Sequence, residues 1–155
     1  MSISLQAELR QRKPFAGLEQ EAMLSIARTA ALLEHAMAEA LKSHGLTPTQ
    51  YNALRILRGA QPEGLCRNEV RDRLIARVPD ATRLLERLGE MGLVVRAREG
   101  EDRRFVRARI TRAGLELLAG LDDPVQRLHR KQLGHLGERK LRTLVDLLAE
   151  AREQS

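Results

Sequence analysis

The sequence has a single cysteine, Cys66, and only three aromatic residues, Phe15, Tyr51 and Phe105, among 155 residues. One cysteine excludes a disulfide within the chain and any zinc cluster built on cysteines. Unpaired bases stack on aromatic rings, so this scarcity argues against a binder of single strands or RNA loops. The four histidines show no metal-ligand spacing on one helix face, and we expect neither a metal site nor a cofactor.

Long hydrophobic runs are also missing. No stretch approaches the run of about 18 apolar residues that a membrane helix needs, and the N-terminus lacks the apolar core of a secretion signal. We therefore expect a cytoplasmic protein. A glycine-rich phosphate loop, an HExxH motif and a serine nucleophile elbow are absent as well, so an enzyme is not expected.

What the sequence does contain is positive charge concentrated in one segment. The chain carries a net charge of +6, and residues 66–112 hold 13 arginines, no lysine and 8 acidic residues. Nearly all of the excess charge therefore lies in less than a third of the chain. Such a concentration is typical of a surface that binds a polyanion.

Helical periodicity precedes this segment. A long helix is predicted over Leu18–Ser43, and its apolar residues recur at alternating spacings of 3 and 4, which is the seam of a helix that packs against another helix: Met23, Ile26, Ala30, Leu33, Met37 and Ala40. Thr47 and Gln50 form a capping box around Pro48, which predicts the start of the next helix. The inner face of that helix should consist of Tyr51, Leu54 and Leu57.

Two shorter helices and two strands are predicted inside the basic segment. One helix starts near Arg67 with Val70, Leu74 and Ile75 facing inward, and Pro79 opens a second helix that ends at Met91-Gly92. The period then changes to about 2 in residues 93–98 and 105–110, on either side of a turn at residues 99–104. This order of elements is that of a helix-turn-helix followed by a β-wing.

Helices are predicted again after the wing. Thr111 is the expected N-cap of the first, Asp122-Asp123-Pro124 should break or kink it, and the last helix carries the apolar stripe Leu141, Leu144, Val145 and Leu148. Together with the long N-terminal helix, these stripes exceed what one small winged helix can cover. They predict burial against one another or against a partner.

The helix predicted from Pro79 is the candidate reader of DNA bases, because the N-terminal residues of such a helix reach base edges in the major groove. The predicted contact residues are Pro79, Asp80, Thr82, Arg83 and Arg87. At the wing tip, Arg103 and Arg104 would reach phosphates or a narrow minor groove, and Asp102 would support an arginine.

Several of these residues resemble a known family. The run Asp102-Arg103-Arg104, followed by Ile110-Thr111-Arg112-Ala113-Gly114, resembles the D-x-R … L-T-x-x-G signature of MarR-type winged-helix transcription regulators. Residues 46–51 and 88–94 are similar to the same family, in the same order. The resemblance implies a mainly α fold with a small β-wing, in which a winged helix-turn-helix lobe is joined to a dimerisation lobe of N- and C-terminal helices.

The resemblance also implies a division of the chain and a set of partners. Residues 1–155 would form a single domain, with 46–110 as the DNA-binding lobe and 15–45 plus 111–155 as the helical dimerisation lobe. The protein would be a homodimer that binds a pseudo-palindromic double-stranded DNA operator, most simply as a repressor relieved by a small-molecule effector of unknown identity. Arg104 matches the family's wing arginine, Asp102 its supporting acid, and residues 79–87 its recognition helix.

Two positions depart from the family's pattern. Pro79 and Asp80 stand where small hydroxyl residues are common, and Cys66 is not at the N-terminal position used by peroxide-sensing members, so we expect an inert thiol. The sequence also leaves two other functions open. One is a sequence-neutral architectural DNA-binding protein, and the other is a helical protein-interaction module that does not bind DNA.

Overall fold

A computed structural model describes residues 3–98 and 106–153. Within them the helices are α1 (Leu5–Glu8), α2 (Leu18–Lys42), α3 (Pro48–Gly59), α4 (Arg67–Arg73), α5 (Thr82–Glu90), α6 (Arg112–Leu133) and α7 (Gly137–Arg152). The strands are β1 (Leu65–Cys66), β2 (Val94–Arg98) and β3 (Val106–Ile110), which form an antiparallel sheet in the order β1-β3-β2. The predicted mainly α fold with a small β-wing is confirmed. No helix in the described ranges is both long and apolar enough to span a membrane.

Helix α3 lies at the centre of the hydrophobic core. Its predicted inner face is confirmed, since Tyr51, Leu54 and Leu57 are all buried. The core is completed by side chains from the helices on either side and from the sheet, namely Leu41, Val70, Leu85, Leu88, Ala108, Leu118 and Leu121. A single core therefore joins the helix-turn-helix, the wing and the first half of α6.

The predicted start signals of two helices are confirmed. Thr47 Oγ1 accepts from the Gln50 N–H at 3.1 Å, and Gln50 Oε1 accepts from the Thr47 N–H at 3.0 Å, which is a complete capping box at α3. At α6, Thr111 Oγ1 accepts from the Gly114 N–H at 3.1 Å. Each side chain satisfies a backbone donor that has no partner within its own helix.

The residues Thr111 and Gly114 also attach the wing to α6. The Thr111 hydroxyl donates to the Gly92 carbonyl at 2.7 Å, and its N–H donates to the Leu93 carbonyl at 3.0 Å. A Cβ on Gly114 would lie 2.6 Å from both Ile110 Cγ1 and the Leu93 carbonyl oxygen. Glycine is therefore required at position 114 for this close approach.

The start predicted at Pro79 for the second helix of the basic segment is wrong. Helix α5 begins at Thr82, not at Pro79. The Asp80 carboxylate accepts from the Thr82 N–H at 3.0 Å, so residues 79–81 form a turn closed by an aspartate instead of a first helical turn. The inward position predicted for Ile75 is also wrong. This side chain is 89% exposed, because α4 already ends at Arg73 and its helical period does not extend to position 75.

Of the two outcomes predicted at Asp122-Asp123-Pro124, the break is wrong, since α6 runs without interruption from Arg112 to Leu133, and the kink stays a prediction. A proline inside a helix removes one backbone hydrogen bond, here the bond to the Gly120 carbonyl. The buried side chains of Leu121 and Val125 hold the helix to the core on both sides of that gap.

The close approach at Gly114 predicts a large effect of one added methyl group. Gly114→Ala should lower the free energy of unfolding by about 1–3 kcal/mol, because the new Cβ overpacks a site with no space. The control is Gly120→Ala on the same helix, where a Cβ meets nothing within 4 Å. That change should raise stability by about 0.5–1 kcal/mol through helix propensity. Denaturant titration measures both values, and equal stability of the two variants would contradict the assignment.

Candidate nucleic-acid interface

Helix α5 separates its apolar face from its charged face. Leu85 and Leu88 are buried in the core, and the preceding Ala81 is buried with them. The opposite face exposes Arg83 and Arg87, as predicted from the sequence. Because the two faces lie on one short helix, burial of the leucines fixes the direction in which the arginines point.

The two exposed arginines differ in their neighbours. Arg87 lies 3.3 Å from the Glu90 carboxylate, an ion pair with both side chains largely in water, which holds the arginine only weakly. Across residues 3–98 and 106–153, Arg83 forms no hydrogen bond or ion pair. Within these ranges, no protein group therefore occupies the donors of the Arg83 guanidinium.

A small polar cluster stands at the N-terminus of α5. The Thr82 hydroxyl donates to Asp80 Oδ1 at 2.8 Å, and Arg67 Nη1 lies 3.4 Å from the same hydroxyl oxygen. The hydrogen bonds that Asp80 accepts from the Thr82 hydroxyl and from the Thr82 N–H lower the pKa of Asp80, the bond from the hydroxyl most of all. Asp80 is thus an ionised acceptor that fixes Thr82, while Pro79 is exposed in the turn before the helix.

The N-terminus of α4 is capped in a comparable way. Glu69 Oε2 accepts from the Cys66 N–H at 2.8 Å, and this bond is the main reason why the pKa of Glu69 is lowered. The Cys66 thiol is free and half-buried at the N-cap position. Its backbone pairs with Arg107 in the sheet, so Cys66 links strand β1 to the start of α4.

Two wing arginines have structural partners. Arg107 Nη1 donates to the Gly64 carbonyl at 3.0 Å, and Arg109 Nε donates to the Pro62 carbonyl at 2.9 Å. Both bonds fasten β3 to the loop before β1.

Gly64 has a φ of +75°, and a Cβ there would lie 2.4 Å from the Ala108 carbonyl oxygen, so glycine is needed at this contact. The sequence prediction missed β1, because two residues are too few to show a period.

The predicted wing-tip residues Asp102, Arg103 and Arg104 lie outside the described residues. Strands β2 and β3 are paired as far as Arg98 and Val106, the last described residues on either side of these positions. Of the predicted interface, the structure therefore brings together Thr82, Arg83 and Arg87 on α5, with Asp80 and Pro79 in the turn ahead of it.

The fold and the exposed arginine face define a winged helix-turn-helix protein. No protein-family model matches the chain, and no match was found among curated proteins. Among solved structures, a MarR transcription factor from Planctomyces limnophilus is 42% identical, with a TM-score of 0.68, over 88% of this chain and 98% of that chain. The chain therefore belongs to the MarR family of transcription regulators.

Two other solved structures share the fold at lower identity. MepR of S. aureus, in a structure of its DNA complex, is 19% identical with a TM-score of 0.76, over 92% of this chain and all of that chain. CouR from Rhodococcus jostii RHA1, bound to p-coumaroyl-CoA, is 23% identical with a TM-score of 0.68, over 86% of this chain and 93% of that chain. At these identities the likeness concerns the fold.

The bond between Glu69 and Cys66 predicts a dependence of stability on pH. Because the pKa of Glu69 is lowered in the folded chain, its ionised form stabilises the fold at neutral pH. This contribution should be lost as the pH falls below the ordinary range of a glutamate, roughly pH 4. Glu69→Gln keeps an acceptor for the Cys66 N–H but does not titrate, so its stability should fall less on acidification.

Denaturant titrations between neutral and acidic pH measure this difference. Glu63→Gln, which removes an exposed carboxylate from the nearby loop, is the control and should follow the wild type. If Glu69→Gln loses as much stability on acidification as the wild type does, the assigned role of Glu69 is wrong.

Proposed function

We propose that this DNA-binding transcription regulator is a homodimeric repressor of a pseudo-palindromic operator. The observation that carries the proposal is Arg83 on the exposed face of α5, with no side-chain partner among the described residues, in a chain that is 42% identical to a MarR transcription factor. The DNA-binding lobe would be residues 46–110, and residues 15–45 plus 111–155 would form the dimerisation lobe. The protein would act in the cytoplasm and have no enzymatic activity.

Each predicted contact residue receives a role in this proposal. Arg83 and Arg87 enter the major groove on α5, where a guanidinium can fork onto guanine. Thr82 contacts the groove from the first turn of the helix. Asp80 acts mainly by holding Thr82, and Pro79 shapes the turn, so their contribution to DNA binding is indirect.

At the wing, Arg103 and Arg104 would bind phosphates or the minor groove, with Asp102 as a support. A basic side chain is favoured there because a narrow minor groove has an enhanced negative potential. This part of the proposal rests on the sequence alone, since the wing tip lies outside residues 3–98 and 106–153.

The proposed partner in the dimer is a second copy of the chain. Helix α2 exposes 57% of Met23, 47% of Ile26 and 54% of Leu32, and α7 exposes 63% of Val145 and 57% of Leu147. A soluble monomer rarely leaves such a run of large apolar side chains in water. Burial of both helices in a two-fold interface would set the two α5 helices about one DNA turn apart, roughly 34 Å.

A small-molecule effector would relieve this repression. It is supported by the CouR structure with its bound p-coumaroyl-CoA and by an apolar cleft of about 260 Å³ in this chain. The cleft lies between α2, α3 and the loop after α4, and Met37, Asn52 and the exposed Ile75 line it. A ligand relieves repression only if it prefers the conformation that does not bind DNA.

The two groups of arginines should differ in their effect on DNA binding. Arg83→Ala should relax the preference at one base position and cost about 1–3 kcal/mol there. Arg104→Ala should weaken binding to all sequences and reduce the salt slope by about 1, since it removes a phosphate or groove contact. Titration of duplexes selected from random sequence, at several salt concentrations, measures both effects.

The control for these titrations is Arg139→Ala, which removes an exposed arginine from α7 and should leave binding unchanged. Unchanged titrations for both Arg83→Ala and Arg104→Ala would contradict the assigned interface. Competition with random duplex tests sequence specificity, because a repressor should prefer its operator by a factor of about 10³ or more.

The dimer predicts that a charge on the α7 stripe separates the two copies. Val145→Asp should raise the dimer dissociation constant by about thirtyfold or more, as expected for a group at the centre of an interface. Thr143→Asp is the matched control, because it adds the same charge to an exposed position on the same helix. Sedimentation velocity over a range of concentrations measures the change. Equal self-association of the two variants would argue against this interface.

A further inference from the structure

Helix α6 is weakened at a single turn near its middle. Pro124 cannot donate the hydrogen bond to the Gly120 carbonyl that a continuous helix would form. Gly120 lies in the same turn, and a Cβ there would meet nothing within 4 Å, so close packing does not explain the glycine. Glycine inside a helix is less favourable than alanine, by about 1 kcal/mol. Residues 120–124 therefore combine a missing hydrogen bond with a flexible residue.

A residue of the same turn, Asp122, forms an ion pair with helix α3. Arg58 of α3 donates through Nη1 to Asp122 Oδ2 and through Nη2 to Asp122 Oδ1, both at 3.0 Å. The side chains are partly buried, with 31% of Arg58 and 43% of Asp122 exposed. Two parallel bonds between a planar guanidinium and a carboxylate fix orientation as well as distance. This pair therefore restrains the turn that the backbone itself leaves weak.

The core holds α6 up to Val125, just past the turn, and beyond Val125 the helix contacts α2. Before the turn, Gly114 and Leu118 are buried against the wing and the core around α3. After the turn, Gln132 Nε2 lies 3.5 Å from the Leu33 carbonyl of α2, and α6 leads on to α7. A bend at residues 120–124 would thus change the angle between the winged part and the helices that carry the exposed apolar stripes.

We propose that Arg58 and Asp122 are positioning residues for DNA binding, whose bidentate pair locks the weak turn of α6. The lock sets the angle between the DNA-binding lobe and the dimerisation helices, and through it the separation of the two α5 helices in the dimer. The inference rests on the homodimer proposed above. Neither residue needs to contact DNA for this effect.

The test uses duplexes in which the separation of two half-sites changes by one base pair at a time. The wild type should show a sharp optimum of affinity. Asp122→Asn and Arg58→Gln should each bind about fivefold to tenfold more weakly at that optimum and lose less at neighbouring separations, which broadens the profile. The double variant should be no weaker than either single variant, because both changes remove the same interaction.

The matched control is Glu116→Gln, which breaks the exposed Arg112–Glu116 pair on the same helix. It should keep the wild-type profile. The reciprocal test uses a stiffened helix. The changes Gly120→Ala and Pro124→Ala together restore the helical turn, so the ion pair is no longer needed to hold it. In this background, Asp122→Asn should weaken DNA binding by a factor of less than about two. Loss of affinity by the same factor at every separation, or at none, would overturn the inference.

Hydrogen exchange in the free protein tests the lock without DNA. Amides of residues 119–127 other than Pro124 should exchange faster in Asp122→Asn and Arg58→Gln than in Glu116→Gln. Equal exchange in the three variants overturns the lock, whatever their DNA binding. If the two variants exchange faster but the wild type binds no duplex with two half-sites, the role of the ion pair is supported and the proposed dimeric repressor is refuted. The failure of one proposal can therefore be distinguished from the failure of the other.

Discussion

The burial of one face of α5 is the constraint on which the rest of this structure depends. Leu85 and Leu88 are almost completely removed from water, and each such side chain contributes about 1.5–3 kcal/mol to folding. Because a helix is rigid over two turns, that burial leaves Arg83 and Arg87 no direction except outward. The direction of the exposed arginine face is thus a consequence of core packing, and a change that loosens the leucines would also misplace the arginines.

The basic segment contains fewer free charges than its composition suggests. Among its arginines, Arg107 and Arg109 donate to backbone carbonyls, and Arg96 lies 3.8 Å from the Glu86 carboxylate. These side chains hold the wing to its surroundings. Arg83 is left without a partner in the described ranges, so the structure distinguishes arginines that support the fold from one that can serve a ligand. Net charge alone could not make that distinction.

Helix α6 connects the winged part of the molecule to the helices that carry exposed apolar side chains. Its first turn is fixed to the wing through Thr111, its middle is fixed to α3 through Asp122, and its end lies beside α2. These specific contacts attach α6 to the wing, to α3 and to α2 in turn.

The sequence by itself determined the local features of this protein. The capping box at Thr47, the N-cap at Thr111, the exposed face of α5 and the two long strands of the wing were all predictable, because each signal acts between residues a few positions apart. The start of α5 was not predictable from local signals, because the turn closed by Asp80 competes with the helix start that Pro79 would otherwise favour. Only the tertiary structure decided that α6 continues through Pro124, because the side chains that hold it come from distant parts of the chain. Arg58 and Asp122 are 64 residues apart, and no local pattern indicates that they meet.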